Sequence, residues 1–202
     1  GHDVDEAAKN VVPYGDQETG PVAEHLRADC EASLKRLNTD YIDVYQLHSA
    51  PNEHFDNDEL WTMLDKQVQA GKVRFLGNSI GPRMQQQLAK SREYGISVIQ
   101  APYNALQRRA AKFLFPVARE MDLGVIARAP LAMGLLGGRY RPGHVFDDVR
   151  AMFIQQEQVD QRLEAAGEML RDKPADMAPA TWANAWCLQE SQVSTVIPGI
   201  KS

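Results

Sequence analysis

The stretch DYIDVYQLH (residues 40–48) is dominated by apolar and aromatic residues and ends on a histidine. Short runs of this kind, rich in Val and Ile, alternate along the chain with longer segments whose apolar residues lie three and four apart. Near-continuous apolar runs are typical of parallel strands covered on both faces, and the wider spacing is typical of amphipathic helices. The predicted strands are residues 41–48, 73–79, 97–103, 124–130 and 194–200, and the predicted helices are residues 21–37, 58–70, 82–94, 109–121, 156–170 and 179–189.

Repeated strand–helix units indicate an α/β fold with a parallel sheet and right-handed crossovers, either an open doubly wound sheet or a closed (β/α)8 barrel. No G-x-G-x-x-G follows any predicted strand, which argues against an open dinucleotide-binding sheet and favours the barrel. In a barrel, the carboxyl ends of the strands face the active site. Those ends carry polar side chains, namely His48, Ser79, Gln100 with Tyr103, and Arg128.

Composition excludes several classes of function. The chain has 202 residues, 44% of them hydrophobic and 24% charged, which is enough to bury a core as one globular domain over residues 1–202 or as part of a larger one. Its net charge of -5 argues against a nucleic-acid partner. The two cysteines, Cys30 and Cys187, lie far apart in predicted helices, as expected for buried thiols in a reducing compartment with no metal site. Without an apolar run of about 20 residues we expect no membrane span, and the default localisation is cytoplasmic.

Five segments are informative through their residues and through their order along the chain: SLKRLNTDYIDVYQLH (33–48), AGKVRFLGNS (70–79), VIQAPYN (98–104), GVIARAPLAMGLLGGRY (124–140) and VSTVIPGIKS (193–202). Together they resemble the aldo-keto reductase family, in a bacterial-type form, over nearly the whole chain. The resemblance implies a (β/α)8 TIM barrel, of which this chain covers strands four to eight. It also implies a single barrel domain that is incomplete at both ends, and an enzyme that reduces an aldehyde or ketone with NADPH, or less often NADH.

The resemblance assigns the histidine of the opening stretch to catalysis. His48 matches the family's active-site histidine, whose neutral imidazole can donate a hydrogen bond to the carbonyl oxygen as negative charge develops there. The family's Asp, Tyr and Lys belong upstream of this histidine, and the sequence has no counterpart for them. Tyr14 lies too near the first helix to take the role of the family's Tyr, so we interpret it as a loop residue. Lys9 does not match the family's Lys, because no apolar strand leads into it.

The resemblance also assigns cofactor contacts. Ser79 and Gln100 match the residues that bind the nicotinamide carboxamide, although Ile80 follows where the family usually has Asn, so one amide contact is missing or is supplied by the backbone. Arg128 occupies the position that faces the nicotinamide ring. The remaining residues match positions that bind phosphate groups in the family. At the pyrophosphate, the resemblance implies backbone amides of Leu131, Gly134 and Leu135 and the charge of Arg139. Lys201 and Ser202 match the start of the segment that recognises the adenosine 2′-phosphate, and this match favours NADPH over NADH.

Three interpretations of the function stay open on the sequence alone. The chain is part of a working oxidoreductase, a pseudoenzyme that binds nucleotide or a partner, or a regulatory subunit with a reductase-like barrel. The substrate and the oligomeric state cannot be read from the sequence. We further predict a mobile loop over the cofactor at residues 140–148, and core positions for Trp182, Trp186 and Leu188.

Overall fold

The computed structural model describes residues 22–81, 85–152 and 154–199. Helices and strands alternate through these residues, as the sequence predicts. In chain order the elements are α1 (Val22–Leu37), β1 (Ile42–His48), α2 (Asn52–Phe55), α3 (Asp58–Gln69), β2 (Val73–Ser79), α4 (Gln85–Ala89), β3 (Ile96–Pro102), α5 (Arg109–Phe113), α6 (Phe115–Glu120), β4 (Gly124–Arg128), 3-10 turns at Ala132–Gly137 and Val149–Met152, α7 (Gln156–Arg171), α8 (Pro179–Leu188) and β5 (Val193–Ile197).

The five strands form one sheet in the order β1-β2-β3-β4-β5. The pairings of β2 with β3, of β3 with β4 and of β4 with β5 are all parallel. Strands that are neighbours in sequence are therefore neighbours in the sheet, and a helix or a pair of helices connects each to the next. This topology confirms the predicted α/β fold with a parallel sheet.

The described residues divide into two compact units, one within residues 1–45 and 50–74 and the other within residues 46–49 and 75–202. In the first unit, Cys30 of α1 is fully buried. The hydroxyl of Tyr45 donates a hydrogen bond to the carbonyl oxygen of Leu26 at 3.4 Å, which joins β1 to α1. Phe55 and Trp61 pack edge to face with ring centroids 5.2 Å apart, and the indole N–H donates to the Phe55 carbonyl. Both aromatic rings are buried and serve the packing of this unit.

The second unit contains the polar strand ends and two apolar clusters. One cluster is formed by Leu135, Phe146, Ile154, Val159 and Leu163, and the other by Ala105, Leu136, Ala166 and Ala183, with Trp182 and Trp186 packed against it. Cys187 is also fully buried, and this burial raises the pKa of its thiol to about 11. The predicted core role of Leu188 is wrong: its side chain is 49% exposed, because Leu188 is the last residue of α8 and projects beyond the buried face.

Several predicted boundaries differ from the structure for local reasons. The helix predicted at 109–121 is two helices, α5 and α6, because Pro116 has no N–H to continue the hydrogen-bond ladder of the first. The strand predicted at 124–130 ends at Arg128, since Ala129 takes a left-handed conformation with φ of 56°. The strand predicted at 194–200 ends at Ile197, before Pro198. The helix predicted at 82–94 is limited, in the part of it that is described, to Gln85–Ala89.

No helix among the described residues is long and apolar enough to cross a membrane.

Candidate active site at the carboxyl ends of the strands

Backbone hydrogen bonds continue past the carboxyl ends of the strands and tie them together. Ser49 donates its N–H to the carbonyl oxygen of Ser79 at 2.9 Å, and Ile80 donates to the carbonyl oxygen of Gln100 at 2.8 Å. Tyr103 donates to the carbonyl oxygen of Arg128 at 3.2 Å. The four ends that carry the predicted site residues are therefore fixed side by side, all within the second unit.

Ser79 and Gln100 form the most organised part of this edge. They are register partners on β2 and β3, and the Gln100 side-chain N–H donates to the Ser79 hydroxyl oxygen at 3.1 Å. Ser79 is buried, whereas Gln100 is half-buried. Because this bond uses the amide nitrogen of Gln100, its carbonyl oxygen and the Ser79 O–H stay available as an acceptor and a donor. A carboxamide group has an N–H that can donate to the Gln100 oxygen and a carbonyl oxygen that can accept from the Ser79 O–H, so the pair is complementary to it.

Ile80 contributes no polar group to this edge. Its side chain is buried and lines a small, largely apolar pocket with Ala101 and Leu114. Its backbone N–H is already used by the Gln100 carbonyl. The Ile80 N–H is therefore not free to replace the amide contact that an asparagine would make here.

His48 ends β1 with an exposed side chain. The next residue, Ser49, has a φ of 52°, so the chain leaves the strand in a left-handed turn. No hydrogen bond or ion pair links the imidazole to another described residue. Its ring nitrogens are therefore open to a ligand at this edge of the sheet.

Arg128 ends β4 and is half-buried. Its Nε atom is buried and has no hydrogen-bond partner, and no carboxylate pairs with the guanidinium among the described residues. Burial lowers the pKa of Arg128, since the charged form loses hydration without a counter-charge. The site thus contains an uncompensated cation, which would be stabilised by an anionic or electron-rich ligand.

The segment after β4 turns repeatedly through left-handed backbone. Ala129, Ala132 and Met133 have φ values of 56°, 48° and 59°, although none is glycine. Such conformations cost on the order of 1–3 kcal/mol each and persist only where the surroundings enforce them. Within this loop, the Leu131 carbonyl accepts hydrogen bonds from the N–H groups of Gly134 and Leu136, at 2.9 and 3.1 Å.

The residues of this loop that were predicted to bind phosphate differ in their exposure and in whether their amides are already hydrogen-bonded. The Gly134 amide is engaged inside the loop, and the Leu135 side chain is buried in the core below it. Leu131 is half-buried and Arg139 is exposed. Lys201 and Ser202 lie outside the described residues, as do Tyr14 and Lys9.

Asn104 is a site-building residue that the sequence analysis missed. It follows β3, is 1% exposed, and its side-chain N–H donates to the Ala129 carbonyl at 2.9 Å. Its side-chain oxygen accepts the N–H of Leu106 at 3.0 Å. Asn104 therefore fixes the left-handed turn that starts the loop. A buried amide directly after an apolar strand was the available signal, because such a group must find partners in its own turn or in a neighbouring one.

Comparison with known proteins decides the family. Residues 11–202 match the model of a family described as "Aldo/keto reductase family". The chain belongs to this family. The match confirms the resemblance seen in the five segments and their order.

Three relatives illustrate the range of similarity. The uncharacterized oxidoreductase YrpG of Bacillus subtilis is 37% identical over 148 residues, covering 66% of this chain and 44% of the relative. The NADH-specific methylglyoxal reductase of Escherichia coli is 29% identical over 187 residues, covering 87% of this chain and 55% of the relative. The holo form of aldo-keto reductase AKR11C1 from Bacillus halodurans superposes with a TM-score of 0.70 at 28% identity, covering 92% of this chain and 59% of that one.

This aldo/keto reductase chain spans about half the length of the curated relatives that it matches. The solved structures that it resembles are (β/α)8 barrels, and its parallel five-stranded sheet is part of such a barrel, which confirms the fold prediction. No group of three or more His, Cys, Asp or Glu side chains that could hold a metal ion occurs among the described residues.

Proposed function

We propose that this chain acts as an oxidoreductase that reduces an aldehyde or ketone to an alcohol by hydride transfer from NADPH. Family membership supports carbonyl reduction with a nicotinamide cofactor. The single observation that carries the proposal is the Ser79–Gln100 pair, joined at 3.1 Å at the edge of the sheet where β1 ends in His48. This pair leaves one donor and one acceptor for a carboxamide, the group by which a nicotinamide ring is oriented.

The other groups at the edge fit the remaining parts of such a cofactor. The uncompensated guanidinium of Arg128 would face the electron-rich ring, and the exposed Arg139 would attract the pyrophosphate. The cofactor supplies the hydride when bound, and the residues of this chain supply binding and orientation.

His48 is the residue to which we assign a role at the substrate. A ring N–H donates a hydrogen bond to the carbonyl oxygen, which orients the carbonyl and stabilises the negative charge that grows there in the transition state. The alkoxide left by hydride transfer then takes a proton from water at this exposed end of β1. The exposed position of the imidazole and its lack of partners among the described residues support this role.

The choice of NADPH over NADH rests on the family resemblance of Lys201 and Ser202. The Escherichia coli relative carries "NADH-specific" in its name, so both cofactors belong in any test. A cytoplasmic location and a small-molecule carbonyl substrate remain part of the same proposal. The alternative is a pseudoenzyme or regulatory subunit that binds nucleotide or a partner without reducing a carbonyl.

Equilibrium titration with each cofactor tests the binding half of the proposal. We expect saturable one-to-one binding of NADPH to the wild-type chain, and weaker binding of NADH. Gln100→Leu should raise the Kd for NADPH by about tenfold, because the carboxamide loses one partner and Ser79 loses its own hydrogen bond.

Gln158→Leu is the matched control, since Gln158 is exposed on α7. Its Kd should equal that of the wild type. Equal Kd values for NADPH in all three proteins would show that Gln100 does not bind the carboxamide. A folded wild-type chain that binds neither NADPH nor NADH would contradict the proposed use of a nicotinamide cofactor.

A further inference from the structure

Arg150 lies against the loop that follows β4 and has no role in the chemistry proposed above. Its guanidinium forms two parallel bonds with the Asp148 carboxylate, at 2.9 Å from Nε and 2.7 Å from Nη2. The third nitrogen, Nη1, donates to the Tyr140 hydroxyl at 2.8 Å and to the Met133 carbonyl at 3.4 Å. The side chain is 19% exposed.

Aromatic rings surround the same guanidinium. Its central carbon lies 4.3 Å from the ring centroid of Phe146 and 5.0 Å from that of Tyr140. His144 stacks on Tyr140 at 4.4 Å and meets Phe146 edge to face at 4.8 Å. These contacts fix Arg150 in one orientation, since a planar guanidinium is stabilised both by bidentate carboxylates and by aromatic faces.

This arrangement makes Arg150 unsuited to binding a phosphate itself. All three of its nitrogens already donate, and Asp148 neutralises its charge. The hydrogen bonds to Asp148 and Tyr140 also raise the pKa of Arg150, so it stays charged over the working pH range. Its contact with the Met133 carbonyl therefore acts on the backbone of the loop.

The backbone at this contact needs outside support. Ala132, Met133 and Gly134 have φ values of 48°, 59° and 94°, so three successive residues are left-handed. A Cβ atom on Gly134 would lie 3.2 Å from Tyr140 Cε2 and 3.4 Å from Arg150 Nη1. The loop therefore lies directly on Tyr140 and Arg150, which restrict it to this conformation.

We propose that Arg150 is a positioning residue that holds residues 131–139 ready to receive the pyrophosphate of the cofactor. This inference rests on the proposed function, because it presumes that a dinucleotide binds at this loop. Tyr140 and Asp148 contribute to the same role, since each accepts hydrogen bonds from one side of the Arg150 guanidinium and holds it in place. The loop is thus arranged before the cofactor arrives, and binding does not have to order it.

The test compares two ligands in four proteins. Wild type, Arg150→Met, Tyr140→Phe and Arg162→Met are each titrated with NADPH and with reduced nicotinamide riboside, which lacks the pyrophosphate. Arg150→Met should raise the Kd for NADPH by about tenfold and leave the Kd for the riboside unchanged. Tyr140→Phe, which removes one hydroxyl and keeps the ring, should raise the Kd for NADPH by about threefold. Arg162 is exposed on α7 and, within the part of the chain that the structure describes, donates a side-chain hydrogen bond only to Gln158, so Arg162→Met is the matched control.

Hydrogen exchange without ligand separates this inference from the proposed function. Arg150→Met should speed exchange of the amides in 131–139 at least tenfold while the amides of β3 and β4 stay protected. A wild type that binds no NADPH would overturn the proposed function and this role with it. If the wild type binds NADPH, two results for Arg150→Met would overturn this role alone. One is an unchanged Kd for NADPH, and the other is a Kd raised equally for NADPH and for the riboside.

Discussion

Replacing His48 with alanine is expected to lower the rate of aldehyde reduction by about 100-fold or more, while the Kd for NADPH stays within about twofold. The reason is that the imidazole N–H stabilises charge that exists only in the transition state, and loss of one such donor typically costs two to three orders of magnitude. The imidazole is exposed and supports no hydrogen bond of the described fold, so its removal should leave the thermal stability unchanged.

The measurement is NADPH oxidation in the presence of short aldehydes, together with a cofactor titration of each protein. His25→Ala serves as the control, because His25 is exposed on α1. A fall in cofactor affinity that accounts for the whole loss of rate would show that His48 binds cofactor and has no role at the carbonyl.

Replacing Asn104 with alanine is expected to lower the free energy of unfolding by about 2–4 kcal/mol. The change leaves the Leu106 N–H without its partner and removes one of the two hydrogen bonds to the Ala129 carbonyl, which keeps the Ala132 N–H at 2.9 Å, in a region where Asn104 is 1% exposed. Each buried group that loses its hydrogen bond costs about 1–3 kcal/mol. Urea denaturation followed by tryptophan fluorescence gives the difference.

Asn184→Ala is the matched control for this prediction. The side-chain oxygen of Asn184 is buried without a partner, so its removal breaks no hydrogen bond to that atom. Its stability should stay within about 1 kcal/mol of wild type. Equal effects of the two substitutions would mean that Asn104 does not hold the turn at Ala129.

The features that the sequence predicted correctly depend on local patterns. The strand 73–79 was predicted with its observed bounds, and His48, Ser79, Gln100 and Arg128 were expected at or near the carboxyl ends of the predicted strands. Parallel strands bring such ends to one edge of a sheet, so the neighbourhood of these residues follows from topology. Their assignment to particular parts of a cofactor came only from the family resemblance and remains a prediction.

The features that the sequence did not predict depend on contacts between distant residues. Asn104 reaches Ala129 across 25 positions, and Arg150 reaches Met133 across 17, so no local pattern reveals either contact. The left-handed turn at Ala129 is equally hidden, because alanine has no preference for positive φ and adopts it only where neighbours enforce it. The exposure of Leu188 follows from its place at the end of α8, which periodicity alone locates only to within a few residues.

Transfer of deuterium tests the central claim most directly. NADPH that carries deuterium at both positions of its hydride-donating carbon is incubated with the chain and an aldehyde, and the alcohol is analysed by mass spectrometry. The account predicts an alcohol with one deuterium on its former carbonyl carbon, formed at a rate that His48→Ala reduces by about 100-fold. An alcohol without deuterium, or no alcohol although NADPH binds, would contradict it and would favour the nucleotide-binding pseudoenzyme.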